Sequence, residues 1–198
     1  MDTLVYILLG ATSVTGLGVV IWRAWVLRWE KVVPASLAAA ADCENDNDLE
    51  NLRQSCAAEP SPLGRLLLLA SDHRDRPKAE NEAVVETAAR HEIMKLESGL
   101  VILEIIVGIA PLLGLVGTII GMMGVFGDLG QTGLNNMNDA SKLAQGISLI
   151  LRTTLIGLLI SIPSLVTWSY FSKKVEVLAV EMETICARFI RKQYVAKK

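Results

Sequence analysis

Residues 99–127 read GLVILEIIVGIAPLLGLVGTIIGMMGVFG, and residues 143–171 read LAQGISLILRTTLIGLLISIPSLVTWSYF. The first stretch is apolar apart from Glu104 and Thr118, and the second apart from Arg152 and scattered Ser, Thr and Gln. Each exceeds the ~20 residues that a helix needs to cross a bilayer. These two stretches decide the fold class, because they predict two membrane-spanning helices.

A third apolar block lies at the N-terminal end, over residues 4–21. Eighteen helical residues measure ~27 Å, enough for a thin bilayer core. Basic residues follow the block instead of preceding it, so we expect an uncleaved anchor and not a signal peptide. Three tryptophans at helical spacing predict an interfacial aromatic belt: Trp22, Trp25 and Trp29.

The separation of the charged residues from the apolar blocks supports an all-α integral membrane protein. The chain has 198 residues, 52% of them hydrophobic and 20% charged, and the charges lie almost wholly between the apolar blocks. We predict a first membrane helix over residues 1–27, a cytoplasmic helical region over 28–98, and a second membrane helix over 99–127. A periplasmic loop over 128–142, a third membrane helix over 143–171 and a cytoplasmic amphipathic tail helix over 172–198 complete the prediction.

The orientation follows from the distribution of Lys and Arg. Residues 23–98 hold ten of them and the tail after residue 171 holds seven, whereas the loop 128–142 holds one. We therefore expect the N-terminus outside and the middle region and C-terminus in the cytoplasm. From residue 78 to the second span we expect one continuous helix, because neither Pro nor Gly interrupts residues 78–98.

Several functions are disfavoured by the residues themselves. The formal net charge is −2, without the basic clusters and interleaved aromatics of a nucleic-acid-binding protein. The cysteines (Cys43, Cys56 and Cys186) and the histidines (His73 and His91) have no metal or redox spacing. We expect no metal, no cofactor and no enzyme activity.

Polar and small residues recur with a seven-residue period in both later spans. In the second, Glu104, Pro111 and Thr118 lie along one helical face. In the third, Thr154 and Ser161 are seven apart, with Pro163 as a second predicted bend site. Small residues beside these faces predict close helix packing: Ala110, Gly114, Gly117, Gly121, Gly124 and Gly157. The two threonines either face a pore or bond back to carbonyls of their own helices, and spacing leaves both alternatives open.

The two stretches resemble the ExbB/TolQ family of inner-membrane proton channels. Residues 96–127 are similar to the family pattern APLLGLLGTV-x-GM-x-x-x-F with its leading apolar helix, and residues 143–171 to LA-x-GI-x-x-AL-x-x-T-x-x-GL-x-x-AIPA. The matching strings are APLLGLVGT and TTLIGLLISIP, in the same order.

This resemblance implies a homopentameric ring in the bacterial inner membrane. The ring surrounds the transmembrane helices of an ExbD/TolR-like single-span partner that carries an essential membrane Asp, and the motor acts on a TonB/TolA-like protein. The family's two pore threonines correspond to Thr118 and Thr154. We expect the proton pathway to follow those threonines with Pro111, Ser161 and Glu104, the last at the cytoplasmic exit or in a structural ion pair. A flagellar MotA-type subunit fits less well, since it has four spans.

The chain also departs from the family pattern. Leu149 stands where the family usually has Glu, and Arg152 follows three residues later. Arg152 lies ~200° around the helix from Thr154. It either snorkels to the outer interface, pairs with an acidic group of a neighbouring subunit, or tunes the partner's Asp.

Overall fold

The computed structural model describes residues 2–40, 46–58, 60–132 and 137–196. Those residues form eight helices and no strand. They are α1 (Asp2–Val26), α2 (Trp29–Val32), α3 (Ala35–Ala40), α4 (Asp46–Ala58), α5 (Pro62–Asp72), α6 (Lys78–Glu97), α7 (Leu100–Thr132) and α8 (Met137–Ala196). Cys43 lies outside the described residues.

Three of these helices are long and apolar enough to cross a membrane, over Thr3–Val26, Leu100–Gly127 and Leu143–Val195. The three predicted apolar blocks are therefore helical. The last range spans 53 residues, or ~80 Å of helix, against a hydrocarbon core of ~30 Å. Only part of α8 can lie within the hydrocarbon, because the helix is more than twice as long as the core is thick.

The helix boundaries differ from the sequence expectation at two places. The helix expected to run unbroken into the second span is interrupted, because α6 ends at Glu97 and α7 begins at Leu100. The apolar third span and the tail lie in one helix, α8, instead of two. The described part of residues 28–98 contains the five helices α2–α6.

The chain divides into two compact units. The first consists of Met1–Trp22 and Gly99–Tyr170. Many of its outward side chains are large and apolar, including Val14, Leu112 and Leu159. An apolar surface of this extent fits contact with lipid.

The second unit consists of Arg23–Ser98 and Phe171–Lys198. Its core is formed by leucines of α3, α4 and α5 and by one stripe of α8. The predicted amphipathic stripe of the tail is buried throughout: Val175, Leu178, Met182, Ile185 and Phe189. The side chain of Asn81 on α6 donates to the Tyr194 hydroxyl on α8 at 3.4 Å, so these two helices are neighbours.

Local sequence explains how α5 begins. Ser61 precedes the helix in an extended conformation and its hydroxyl accepts from the Gly64 N–H at 3.0 Å. Pro62 occupies the first helical position, where its missing N–H has no cost. The helix then buries Leu63, Leu66 and Leu67, so the leucine-rich run is the core face of α5.

Arg23 is buried within the second unit and closes the end of α6. Its Nη1 donates to the Leu96 carbonyl oxygen at 2.9 Å, and its Nη2 lies 3.4 Å from the Ser98 hydroxyl. The last carbonyls of a helix lack intrahelical donors and carry partial negative charge. A cation is therefore well placed at this helix end.

Glu92 on α6 is a buried carboxylate held by two cations. It contacts Arg65 of α5 and lies 2.9 Å from Lys95 Nζ. Burial raises the pKa of Glu92, but the hydrogen bonds and charges of Arg65 and Lys95 outweigh burial and hold this pKa below its ordinary value. The interaction therefore stabilises the ionised carboxylate and joins α5 to α6.

We expect Glu92→Gln to lower the free energy of unfolding of the detergent-solubilised protein at pH 7 by about 1–3 kcal/mol, because it weakens charged hydrogen bonds at a buried position. A depressed folded-state pKa contributes stability above the unfolded pKa of ~4.3 and loses it as pH falls through the folded value. The melting temperatures of wild type and variant should therefore converge as the pH falls below the unfolded value and through the lower folded value.

Glu86→Gln is the matched control, because the Glu86–Arg90 pair on the same helix is exposed. Such pairs contribute about 0.3–0.5 kcal/mol. A gap between Glu92→Gln and wild type that stayed constant from neutral to acidic pH would contradict the assignment.

Candidate functional site

The α7 and α8 helices approach so closely that side chains are excluded at their nearest point. A Cβ at Gly157 would lie 2.6 Å from the Ala110 carbonyl oxygen and 3.3 Å from Gly114 Cα. A Cβ at Gly114 would lie 2.9 Å from Thr154 Cα. We call this place the crossing, defined by Ala110, Gly114, Thr153, Thr154 and Gly157. Small residues are required here because the obstacles are backbone atoms.

The contact continues along both helices in antiparallel order. On one side of the crossing, the Ser161 hydroxyl donates to the Val107 carbonyl oxygen at 2.9 Å. On the other side, a Cβ at Gly121 would lie 2.6 Å from Ile150 Cγ1, and one at Gly146 would lie 2.8 Å from Val125 Cγ2. The register is therefore fixed over about five helical turns by small residues of both helices.

The first span joins the same bundle. A Cβ at Gly117 would lie 3.0 Å from Thr153 Cβ and 3.1 Å from Val5 Cγ1 of α1. A Cβ at Gly16 would lie 3.5 Å from Ile106 Cδ1. Gly124 differs from the other predicted packing glycines, because in the described part of the chain a Cβ built there meets nothing within 4 Å apart from its chain neighbours and the nearby backbone of its own helix.

The two threonines implied by the family resemblance make different hydrogen bonds. Thr118 donates to the Leu115 carbonyl oxygen of its own helix at 2.7 Å. Thr154 lies 3.3 Å from the Gly114 carbonyl oxygen of the facing helix. Both side chains are half-buried. Because Thr154 lies level with Gly114, Thr118 is one helical turn, ~6 Å, further along α7.

Thr153 is a third threonine at the crossing, and sequence reasoning missed it. It is buried, and its hydroxyl donates to the Ile150 carbonyl oxygen at 2.7 Å with the Gly114 oxygen at 3.4 Å. Gly157 follows Thr153 by four residues and Ser161 follows Gly157 by another four, so the three residues lie on one face of the helix. The seven-residue period drew attention to Thr154 instead.

Ser161 and the two prolines occupy different surroundings. Ser161 is 7% exposed and its hydroxyl is directed at Val107, not at an open face. Pro111 is half-buried inside α7, and Pro163 is exposed inside α8. The structure places Ser161 between α7 and α8, and its pore-lining role stays a prediction.

The two charged residues of the spans, Glu104 and Arg152, are exposed side chains of the first unit. Among the described residues, neither takes part in an ion pair. Charged residues within membrane spans usually have a partner or a function, because isolation in lipid is costly. All three interpretations of Arg152 stay open.

Two predicted interface anchors are exposed aromatic side chains, Trp22 at 54% and Trp25 at 67%. Lys31 Nζ lies 4.1 Å from the centroid of the Trp25 ring, in cation–π geometry. The Trp29 side chain lies outside the described residues. Within the described ranges, no group of three or more His, Cys, Asp and Glu side chains could hold a metal ion.

Three apolar helices and a glycine-lined crossing define a multi-pass membrane protein. The sequence pattern of the MotA/TolQ/ExbB proton channel family matches residues 58–184. The match covers more than half of the chain and includes the crossing, and the chain belongs to this family. No individual curated protein matches the chain.

We expect Gly157→Ala to destabilise the detergent-solubilised protein by about 1–3 kcal/mol, because the added methyl meets a backbone carbonyl that cannot move aside cheaply. Thermal unfolding checks this. Gly124→Ala is the matched control and should be neutral or slightly stabilising, since Ala has the better helix propensity and open space there. Equal effects of the two variants would show that the crossing is not the close contact described.

Proposed function

We propose that this protein is the ring-forming subunit of an ExbB/TolQ-like proton-driven motor in the bacterial inner membrane. In this proposal five copies surround an ExbD/TolR-like single-span partner with a membrane Asp. Proton flow through the assembly drives work on a TonB/TolA-like envelope protein. The N-terminus is periplasmic, the C-terminus is cytoplasmic, and the chain is not an enzyme.

The observation that carries the proposal is a pair of half-buried threonines, Thr154 at the crossing and Thr118 one helical turn further along α7. A threonine hydroxyl has one donor and two acceptor positions. Thr118 directs its donor at Leu115, so its oxygen retains acceptor capacity for a protonated carboxyl group. Rotation of the hydroxyl away from Leu115 would let it donate to an ionised carboxylate. The same side chain therefore suits both protonation states of an acid.

The acid must come from another chain. Glu104 is the only carboxylate of residues 100–127, and fourteen residues, or ~21 Å of helix, separate it from Thr118. A carboxylate in a poorly hydrated pore has a raised pKa and can take up and release protons. One proton crossing 100 mV supplies ~2.3 kcal/mol, so the moving parts need nearly equal energies in their alternative positions.

A second candidate is a membrane scaffold that assembles complexes without conducting ions. The Thr118–Leu115 hydrogen bond favours it, because a threonine bonded to its own helix needs no pore to explain it. The glycines of the crossing are equally compatible with packing alone. Removal of the two hydroxyls distinguishes the candidates.

We expect the double variant Thr118→Val, Thr154→Val to assemble normally but to lose partner-dependent proton flux by about 10-fold to 100-fold. That range corresponds to roughly 1.5–3 kcal/mol for a hydrogen bond to a charged group. The measurement is proton uptake into proteoliposomes that contain the chain and its single-span partner. Val keeps the shape of Thr, so packing changes little.

Thr15→Val is the control, because Thr15 also bonds within its own helix, to the Ala11 oxygen at 2.8 Å, but lies on α1. Thr118→Ser with Thr154→Ser keeps both hydroxyls and should retain most of the flux. Full flux in the double Val variant would favour the scaffold.

We further propose that Glu104 forms the cytoplasmic exit of the proton path. Glu104→Gln should lower proton flux by about threefold to tenfold, equivalent to roughly 0.7–1.4 kcal/mol, with assembly unchanged. Glu176→Gln is the control, since the Glu176–Lys173 pair is exposed. Unchanged flux combined with poorer assembly would assign Glu104 to a structural ion pair.

A further inference from the structure

The carbonyl of Val107 is the one backbone acceptor that Pro111 deprives of its helical donor. In an α-helix the oxygen of residue i accepts from the N–H of residue i+4. For Val107 that residue is Pro111, which has no N–H. The Ser161 hydroxyl of α8 lies 2.9 Å from this oxygen. The Ser161 side chain of one span therefore supplies the donor that the Val107 carbonyl of the other span lacks within its own helix.

The surroundings of the Ser161–Val107 hydrogen bond make its loss costly. An unpaired backbone carbonyl within the hydrocarbon has no water to bond and is costly. Ser161 is 7% exposed, so solvent does not compete for its hydroxyl. Val107 lies three residues before Ala110, and Ser161 lies four residues after Gly157. The bond is thus about one turn from the crossing on both helices.

The neighbouring serine shows that a hydroxyl in this span has another option. Ser164 is also 7% exposed, and its hydroxyl donates to the Ile160 oxygen of its own helix at 2.8 Å. The helical donor for Ile160 is the N–H of Ser164 itself, so that carbonyl is served without the hydroxyl. The bond of Ser164 is supplementary, whereas that of Ser161 replaces a missing one.

We propose that Ser161 and Pro111 act together. The proline leaves the Val107 carbonyl without its helical donor, and the Ser161 hydroxyl donates to that carbonyl and thereby fixes α8 against α7. Ser161 is then a positioning residue, and it holds Thr154 and Thr118 in place through the register of the two helices. This second statement rests on the proposed function, whereas the coupling of Ser161 to Pro111 does not.

A thermodynamic cycle tests the coupling. Ser161→Ala is compared with its parent in two backgrounds, wild type and Pro111→Ala, by thermal unfolding in detergent. With Pro111 present, the loss of the hydroxyl should lower Tm by about 2–4 °C. In the Pro111→Ala background the restored N–H serves Val107, and the shift should fall below about 1 °C. Ser164→Ala should give the same small shift in both backgrounds.

Proton flux of Ser161→Ala with the partner, measured per assembled complex, tests the positioning role. It should fall by about threefold or more, while Ser164→Ala keeps wild-type flux. Equal Tm shifts of Ser161→Ala in both backgrounds would overturn the coupling. A coupled Tm shift with wild-type flux in Ser161→Ala would overturn the positioning role. If even the wild-type complex showed no flux while the Tm coupling was present, the proposed function would be rejected. The coupling of Ser161 to Pro111 would then still hold.

Discussion

The structure of the first unit depends on the close antiparallel approach of α7 and α8. In lipid the hydrophobic effect does not drive helices together, so association relies on packing and on hydrogen bonds between helices. Glycine at positions 114 and 157 lets backbone meet backbone. The interhelical bond of Ser161 and the contacts of Thr153 follow from that approach, because short hydroxyl side chains reach the facing carbonyls only when the helices are close.

The second unit is built by the rules of a water-soluble domain. Its core consists of leucines and a stripe of α8, where burial of apolar surface is the favourable term. Two of its buried charged groups are paired: Glu92 contacts two cations, and Arg23 donates to a helix-terminal carbonyl. One chain therefore combines two ways of stabilising helices, each suited to its own solvent.

The sequence predicts the spans and the tail stripe because both rest on local patterns. Apolar blocks longer than ~20 residues, and apolar residues at three- and four-residue steps, need no tertiary information. The interruption between Glu97 and Leu100 was not predicted, since Ser98 and Gly99 next to an apolar block read equally well as helix. The acceptor of Ser161 and the burial of Thr153 depend on the register of two helices. Residues 39 and 54 positions apart meet in that register only after folding, so no local pattern contains it.

The glycines of the α7–α8 contact differ in how they can change over evolutionary time. At Gly157 and Gly114 the nearest obstacles are main-chain atoms, which every amino acid carries. No replacement on the facing helix therefore makes room for a side chain. At Gly121 the obstacle is the side chain of Ile150, and a smaller residue there would open space for a larger one at 121. Related sequences should therefore exchange bulk between positions 121 and 150 as a covarying pair, while positions 114 and 157 stay invariant.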